Sequence, residues 1–144
     1  GLGGGGGGAV GAPPSPPATK SRSSSVPSPV EPCGGADKGC FSTADSLMAP
    51  WVAPKGRPPS DAARRLRKAL VAQGASSTLT LSATSDAVRV RATFQSGLFG
   101  STTDRVEFIL SPDRSVAFRA TASDGAVRRN RERLERVHTL LRWG

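Results

Sequence analysis

What most limits this chain is its opening: residues 1–32 hold eight glycines and seven prolines. A Gly-rich run passes into a Pro/Ser-rich stretch from Ala12 to Pro32, with too few apolar groups to offset the entropy of ordering it. This segment is expected to be a disordered leader. Of the 144 residues, 33–144 remain to build a core, enough for a single domain of ordinary size. The chain does not begin with Met, as expected of a processed protein or a fragment. The segment Thr19–Ser25 is Ser-rich, basic and free of acid, a composition shared by organelle transit peptides and by flexible linkers. The glycine run formally fits GxGxxG, but it follows no strand and opens no helix, which argues against a nucleotide site.

Charge narrows the class of partner. The formal net charge is +9. The leader supplies little of it (Lys20 and Arg22 against Glu31), so the excess sits on the foldable part. Such a balance favours anionic partners, namely RNA, an anionic membrane surface or an acidic protein, and it also suits solvated helices. No apolar run approaches the ~18–20 residues needed to cross a bilayer.

Residues 33–59 carry Cys33, Cys40, Phe41, Met48 and Trp51 among several prolines. They are expected to form an ordered but irregular lead-in, because proline cannot donate to a ladder. A helix is expected from a Ser60 cap to about Gln73, before Gly74. Its apolar face is Ala62, Leu66, Ala69 and Leu70, with Gln73; Arg64, Arg67 and Lys68 lie opposite. Four strands follow: Thr78–Thr84, Val88–Phe94, Asp104–Leu110 and Val116–Thr121. The second alternates Val88, Val90, Ala92 and Phe94 against Arg89, Arg91 and Thr93. Short turns at Ser85-Asp86 and Ser111-Pro112-Asp113 favour an antiparallel meander. A last helix is expected from Ser123 or Asp124 to about Arg142, with Val127, Leu134, Val137 and Leu141 as its stripe and Glu132/Arg136 and Arg131/Glu135 as i,i+4 pairs. Asn130 interrupts that stripe. An amide there must find partners, and backbone in a neighbouring loop is expected to supply them.

The fold class is therefore α+β: a four-stranded antiparallel sheet flanked by an N-terminal and a C-terminal helix, both on one face. The other face would carry Arg89, Arg91, Arg105, Glu107 and Arg119. Guanidinium forks suit carboxylate or phosphate, so this is the candidate anion-binding or partner-docking face; the alternative is a solvated face on which Glu107 bridges arginines.

The features fall in a recognisable order. Cys33 leads to Cys40-Phe41-Ser42-Thr43, then to Pro50-Trp51 and a basic helix. Leu98-Phe99, Asp104-Arg105-Val106-Glu107-Phe108, Val116–Ala120 and Asn130-Arg131-Glu132-Arg133-Leu134 follow. Over residues 33–142 this resembles the domain of unknown function 1499 family, DUF1499. The chain departs from the family's pattern in having Arg105 where a second acid is usual, in a shortened Thr121–Arg129 stretch, and in Lys38-Gly39 before Cys40. The resemblance implies an α+β fold, structural roles for Asn130, Arg131 and Arg133, and a bacterial or plastid setting with a link to thylakoids. It implies no established activity.

Cys33 and Cys40 admit two states. An oxidised pair would stabilise by roughly 2–3 kcal/mol in the chain-entropy model; the reduced state is the alternative. Two cysteines and the lone His138 do not make the four ligands of a structural zinc, and neither metal nor cofactor is expected. His138 lies beside the apolar stripe and is expected to be structural or at the surface. No GxSxG, HExxH or P-loop is present. Glu107 could act as a general base only with a second carboxylate nearby, for which Asp104 is the candidate. The expected function is a non-catalytic accessory or binding module in the chloroplast, meeting a protein partner at a thylakoid or in its lumen. The competing readings are RNA binding and an uncharted enzyme. RNA binding has against it the absence of Tyr and of an exposed aromatic pair among basic strands.

Overall fold

The computed structural model describes residues 29–35, 38–45, 48–82 and 86–144. The leader up to residue 28 and the predicted strand end and turn at 83–85 lie outside the described residues. The elements are β1 (Phe41–Ser42), β2 (Trp51–Val52), α1 (Pro59–Ala72), β3 (Ser77–Ser82), β4 (Val88–Ser96), β5 (Thr102–Leu110), β6 (Ser115–Ala122) and α2 (Val127–Leu141), with a single 3-10 turn at Leu98–Gly100 between β4 and β5. The class is α+β, as the periodicities predicted.

The sheet runs in the order β1-β6-β5-β4-β3, every pair antiparallel, and β2 also pairs with β6. The expectation of four strands needs correction, because the lead-in is not wholly irregular. Phe41 sits opposite Ala120 and Trp51 opposite Val116. The two short strands follow one another along the outer edge of β6, whose amides and carbonyls would otherwise lack sheet partners.

Both helices cover one face. The alternating residues of β4, β5 and β6 point at them: Val90, Phe94, Val106, Phe108, Leu110 and Val116 are essentially inaccessible, as are Leu66 and Leu70 of α1 and Val137 of α2. Trp51 lies against Phe118, with ring centroids 4.9 Å apart, and stacks on His138 at 4.7 Å. His138 Nε2 also lies 3.0 Å from the Gly144 carbonyl oxygen. The only histidine is thus a packing element.

Both helix starts differ from the sequence expectation, for local reasons. α1 begins at Pro59 with Pro58 at its cap position, and Ser60 makes no capping bond. A proline at the first helical position has the right φ and no amide to satisfy, so a serine cap is unnecessary. Asp61 in the first turn accepts from Arg57 at 2.7 Å and pairs with Arg64 at 3.1 Å. α2 begins at Val127, because Ser123 and Asp124 are engaged in the preceding turn. Thr103 donates its amide to Ser123 Oγ at 2.9 Å, Ala126 donates to Asp124 Oδ1 at 3.1 Å, and Gly125 takes φ +82. On α2, Glu132 pairs with Arg128 at 3.4 Å, and Arg136 reaches Gln73, just past the end of α1, at 2.8 Å.

Candidate functional site

Two clusters of arginine around a carboxylate grow from the same strand, on opposite faces. The first lies on the face away from the helices. Cross-strand register places Leu79, Arg91, Glu107, Arg119 and Ser42 in one row. Ser77, Thr93, Arg105 and Thr121 make the adjacent row. Residues directly opposite on one face stand ~5 Å apart at Cβ, within reach of long side chains. Glu107 Oε2 accepts from Arg89 Nη1 and, at 3.4 Å, from Arg91 Nε. Arg119 stands across from Glu107 on the other side, and Arg105 precedes it by one pleat. The sheet twist leaves a concavity of about 400 Å³ there, with Arg91, Arg105, Glu107 and Arg119 among its walls. The five residues singled out from the sequence are therefore brought together. Arg91 is 55% exposed, Arg89 32% and Glu107 26%.

This face is not uncovered throughout, as the sequence had suggested. Val30 packs with Ile109 and Ala117, flanked by Ala44 and Ala87, and is 4% exposed. Ser42 Oγ donates to the Glu31 carbonyl oxygen at 2.7 Å, fixing that segment. Among the described residues, the arginine rows are thus bounded at one end by an apolar plug and open at the other.

The second cluster lies under α2. Asp104 is fully buried. Arg129 holds it with two bonds, Nε to Oδ2 at 2.7 Å and Nη2 to Oδ1 at 2.6 Å. Arg133 adds Nη1 to Oδ2 at 2.8 Å and donates to Asn130 Oδ1 at 2.8 Å. Asn130 Nδ2 donates to the Thr121 carbonyl oxygen at 2.9 Å, so its partner is the end of β6 and not a loop. The Arg133 guanidinium also lies 4.1 Å over the Phe94 ring. Burial pushes the Asp104 carboxyl up, but the hydrogen bonds and charges of Arg129 and Arg133 more than offset it and hold it below the usual carboxylate range. Arg129 also clamps Asp124, whose pKa is lowered to about 2. Asp104 thus faces the helices and cannot serve as the acid partner of Glu107, an expectation the geometry overturns. Arg131, grouped with Asn130 and Arg133 in the sequence, is exposed on α2.

Cys33 and Cys40 form a disulfide. The loop it closes presses on the β6–α2 turn: a Cβ on Gly39, which has φ +54, would stand 2.8 Å from Ala122 Cβ. Among the described residues no group of three or more His, Cys, Asp or Glu side chains is placed to hold a metal ion, and no helix is long and apolar enough to cross a membrane.

Sequence reasoning missed Arg129 and Asp124, because they matter only through the turn that delays α2. It also passed over Leu98-Phe99 as a surface. Two apolar residues between glycines in an uncharged loop were a readable signal.

No curated protein and no solved structure matches the chain. A family model described as "Protein of unknown function (DUF1499)" matches residues 11–141. That match takes in both charge clusters, the disulfide and the whole sheet, and the chain belongs to the DUF1499 family.

Proposed function

We propose that this protein is a non-catalytic binding module whose arginine face receives an acidic segment of a partner protein. The observation that carries this reading is the cationic excess on that face among the described residues: Arg89 and Arg91 share the carboxylate of Glu107, and Arg105 lines the same concavity. A planar guanidinium pairs best with a carboxylate, and several in a row set a register for an extended acidic chain. Asp104, the acid expected to partner Glu107 in catalysis, lies on the other face of the sheet. The chloroplast, at a thylakoid or in its lumen, is the proposed setting. The resemblance, the acid-free basic leader segment and a disulfide suited to an oxidising compartment support it.

RNA is the competing ligand. The exposed aromatic among the described residues is Phe99, at a hairpin tip and off the arginine face, so no stacking platform accompanies the charge. Fluorescence anisotropy with a labelled oligoglutamate and a labelled single-stranded RNA tests the choice. The module should bind the acidic peptide, and Arg91→Ala/Arg105→Ala should weaken binding roughly tenfold or more, as loss of charge-assisted pairs implies. Unchanged peptide binding in that variant, or RNA binding far tighter than peptide binding at equal salt, overturns the reading.

A further inference from the structure

The β4–β5 hairpin ends in two large apolar side chains that none of the described residues covers. Phe99 is 97% exposed and Leu98 76% exposed. The tip is built to display them. Gly97 and Gly100 take φ +78 and +68, and between them Phe99 sits at φ 56, ψ 31. A bulky aromatic in the left-handed region is unfavourable, and no packing among the described residues offsets it. The turn is nevertheless well made. Gly100 donates to the Gly97 carbonyl at 3.2 Å and Ser101 to that of Leu98 at 3.1 Å. A Cβ at Gly97 would stand 2.9 Å from Ser101 Oγ. Two of the tip's amides are thus satisfied within the turn, which lowers the cost of taking it out of water.

Charge is excluded from the tip and gathered behind it. Gln95–Thr103 contains no ionisable side chain. Behind it come Arg105, exposed on β5, and Arg128, 87% exposed in the first turn of α2. The α2 start is tied to the hairpin base, because Ser123 donates its amide to the Thr103 carbonyl at 2.9 Å. Lys38, also exposed, accepts the Ala122 amide on its carbonyl at 3.0 Å. Among the described residues the acids at this end are engaged: Asp124 and Asp104 by Arg129, and Glu132 by Arg128.

We propose that Leu98 and Phe99 insert into the interface of an anionic lipid bilayer, with Lys38, Arg105 and Arg128 facing its headgroups. Two side chains present far less than the ~1,000 Å² that a specific protein interface needs. A bilayer has no such requirement. It accepts a small apolar wedge and adds diffuse attraction for a basic protein, here one of net charge +9. The tip itself lies outside the arginine face; Arg105 is the one side chain that both readings use, and the serine variants of the tip leave it in place.

The test uses the full chain and sedimentation with two kinds of vesicle, phosphatidylcholine alone and phosphatidylcholine mixed with phosphatidylglycerol. Binding is expected to the anionic vesicles, to weaken as salt rises, and to fall roughly tenfold or more in Leu98→Ser/Phe99→Ser, whose exposed positions leave the melting transition in place. A Phe99→Trp variant reports depth: its added emission should shift to the blue on anionic vesicles, since Trp51 and Trp143 are already buried. No sedimentation with anionic vesicles, sedimentation equal in the double serine variant, or vesicle binding without the emission shift each overturns the proposal. The last outcome would mean adsorption by charge alone.

Discussion

Asp104 and Glu107 are three residues apart on one strand, and each carboxylate meets two arginines, yet the two clusters have opposite characters. The odd spacing sends them to opposite faces of the sheet. Under α2 the carboxylate is wholly buried, its arginines bring bonds to both oxygens, and Asn130 closes the network onto the backbone of β6. On the other face the carboxylate is itself a quarter exposed and its two arginines are a third to a half exposed. The same residue types thus make a bolt on one side and a surface with cationic capacity on the other. Burial decides between them, not residue identity.

The comparison can be broken most forcefully from the buried side. Asp104→Ala leaves Arg129 and Arg133 facing each other without their shared anion, and about 3 kcal/mol of stability should be lost, the low end for a broken buried pair because Arg129 is partly exposed. Urea denaturation measures it. A loss under 1 kcal/mol would mean that water replaces the carboxylate readily and that the cluster is no bolt. Asn130→Ala should cost about 1–3 kcal/mol by stranding the Thr121 carbonyl and removing one Arg133 partner. An unchanged midpoint would place the hold on Arg133 alone.

Acid sharpens the same contrast. The folded pKa values of Asp104 and Asp124 are depressed below their unfolded values, Asp124 to about 2. Their contribution is therefore complete above the unfolded carboxylate range, near pH 4, and is lost as pH falls towards 2. Melting temperature should drop across that window in the native protein and drop less in Asp104→Asn/Asp124→Asn. Parallel curves would sink the assignment. The smallest effect belongs to the outer face. Glu107→Gln should change stability by under ~1 kcal/mol, as for exposed pairs, while strengthening oligoglutamate binding several-fold by removing a competing carboxylate. Weaker binding in this variant would show that Glu107 positions the arginines and does not oppose the ligand.

Much of this was legible in the sequence where periodicity carries information. The alternation Val88–Phe94 and the stripe Ala62–Leu70 gave the sheet, its faces and the covering helix, and the same alternation brought Arg89, Arg91, Arg105, Glu107 and Arg119 together. What escaped lacks a period. Two-residue strands such as Phe41–Ser42 arise only because β6 has an edge to be paired. Val30 looked like part of a leader, and its burial depends on Ile109 and Ala117 lying bare on the far face. Arg129 gained its place from a turn whose glycine moved the helix start by three residues.

The short strands on β6 also bear on the order in which the chain acquires its structure. β3 to β6 are joined by brief turns, so their contacts are local and close early. The bond from the Phe118 amide to Thr43 Oγ1 spans 75 positions, and closing so long a loop comes late. Until it closes, the outer margin of β6 is an open template for another chain, and the disulfide loop that carries β1 is the latch that shuts it. In native-state hydrogen exchange the Thr43 and Ala53 amides should therefore open before those of Val106 and Phe108; simultaneous opening would make the latch part of one cooperative unit with the meander.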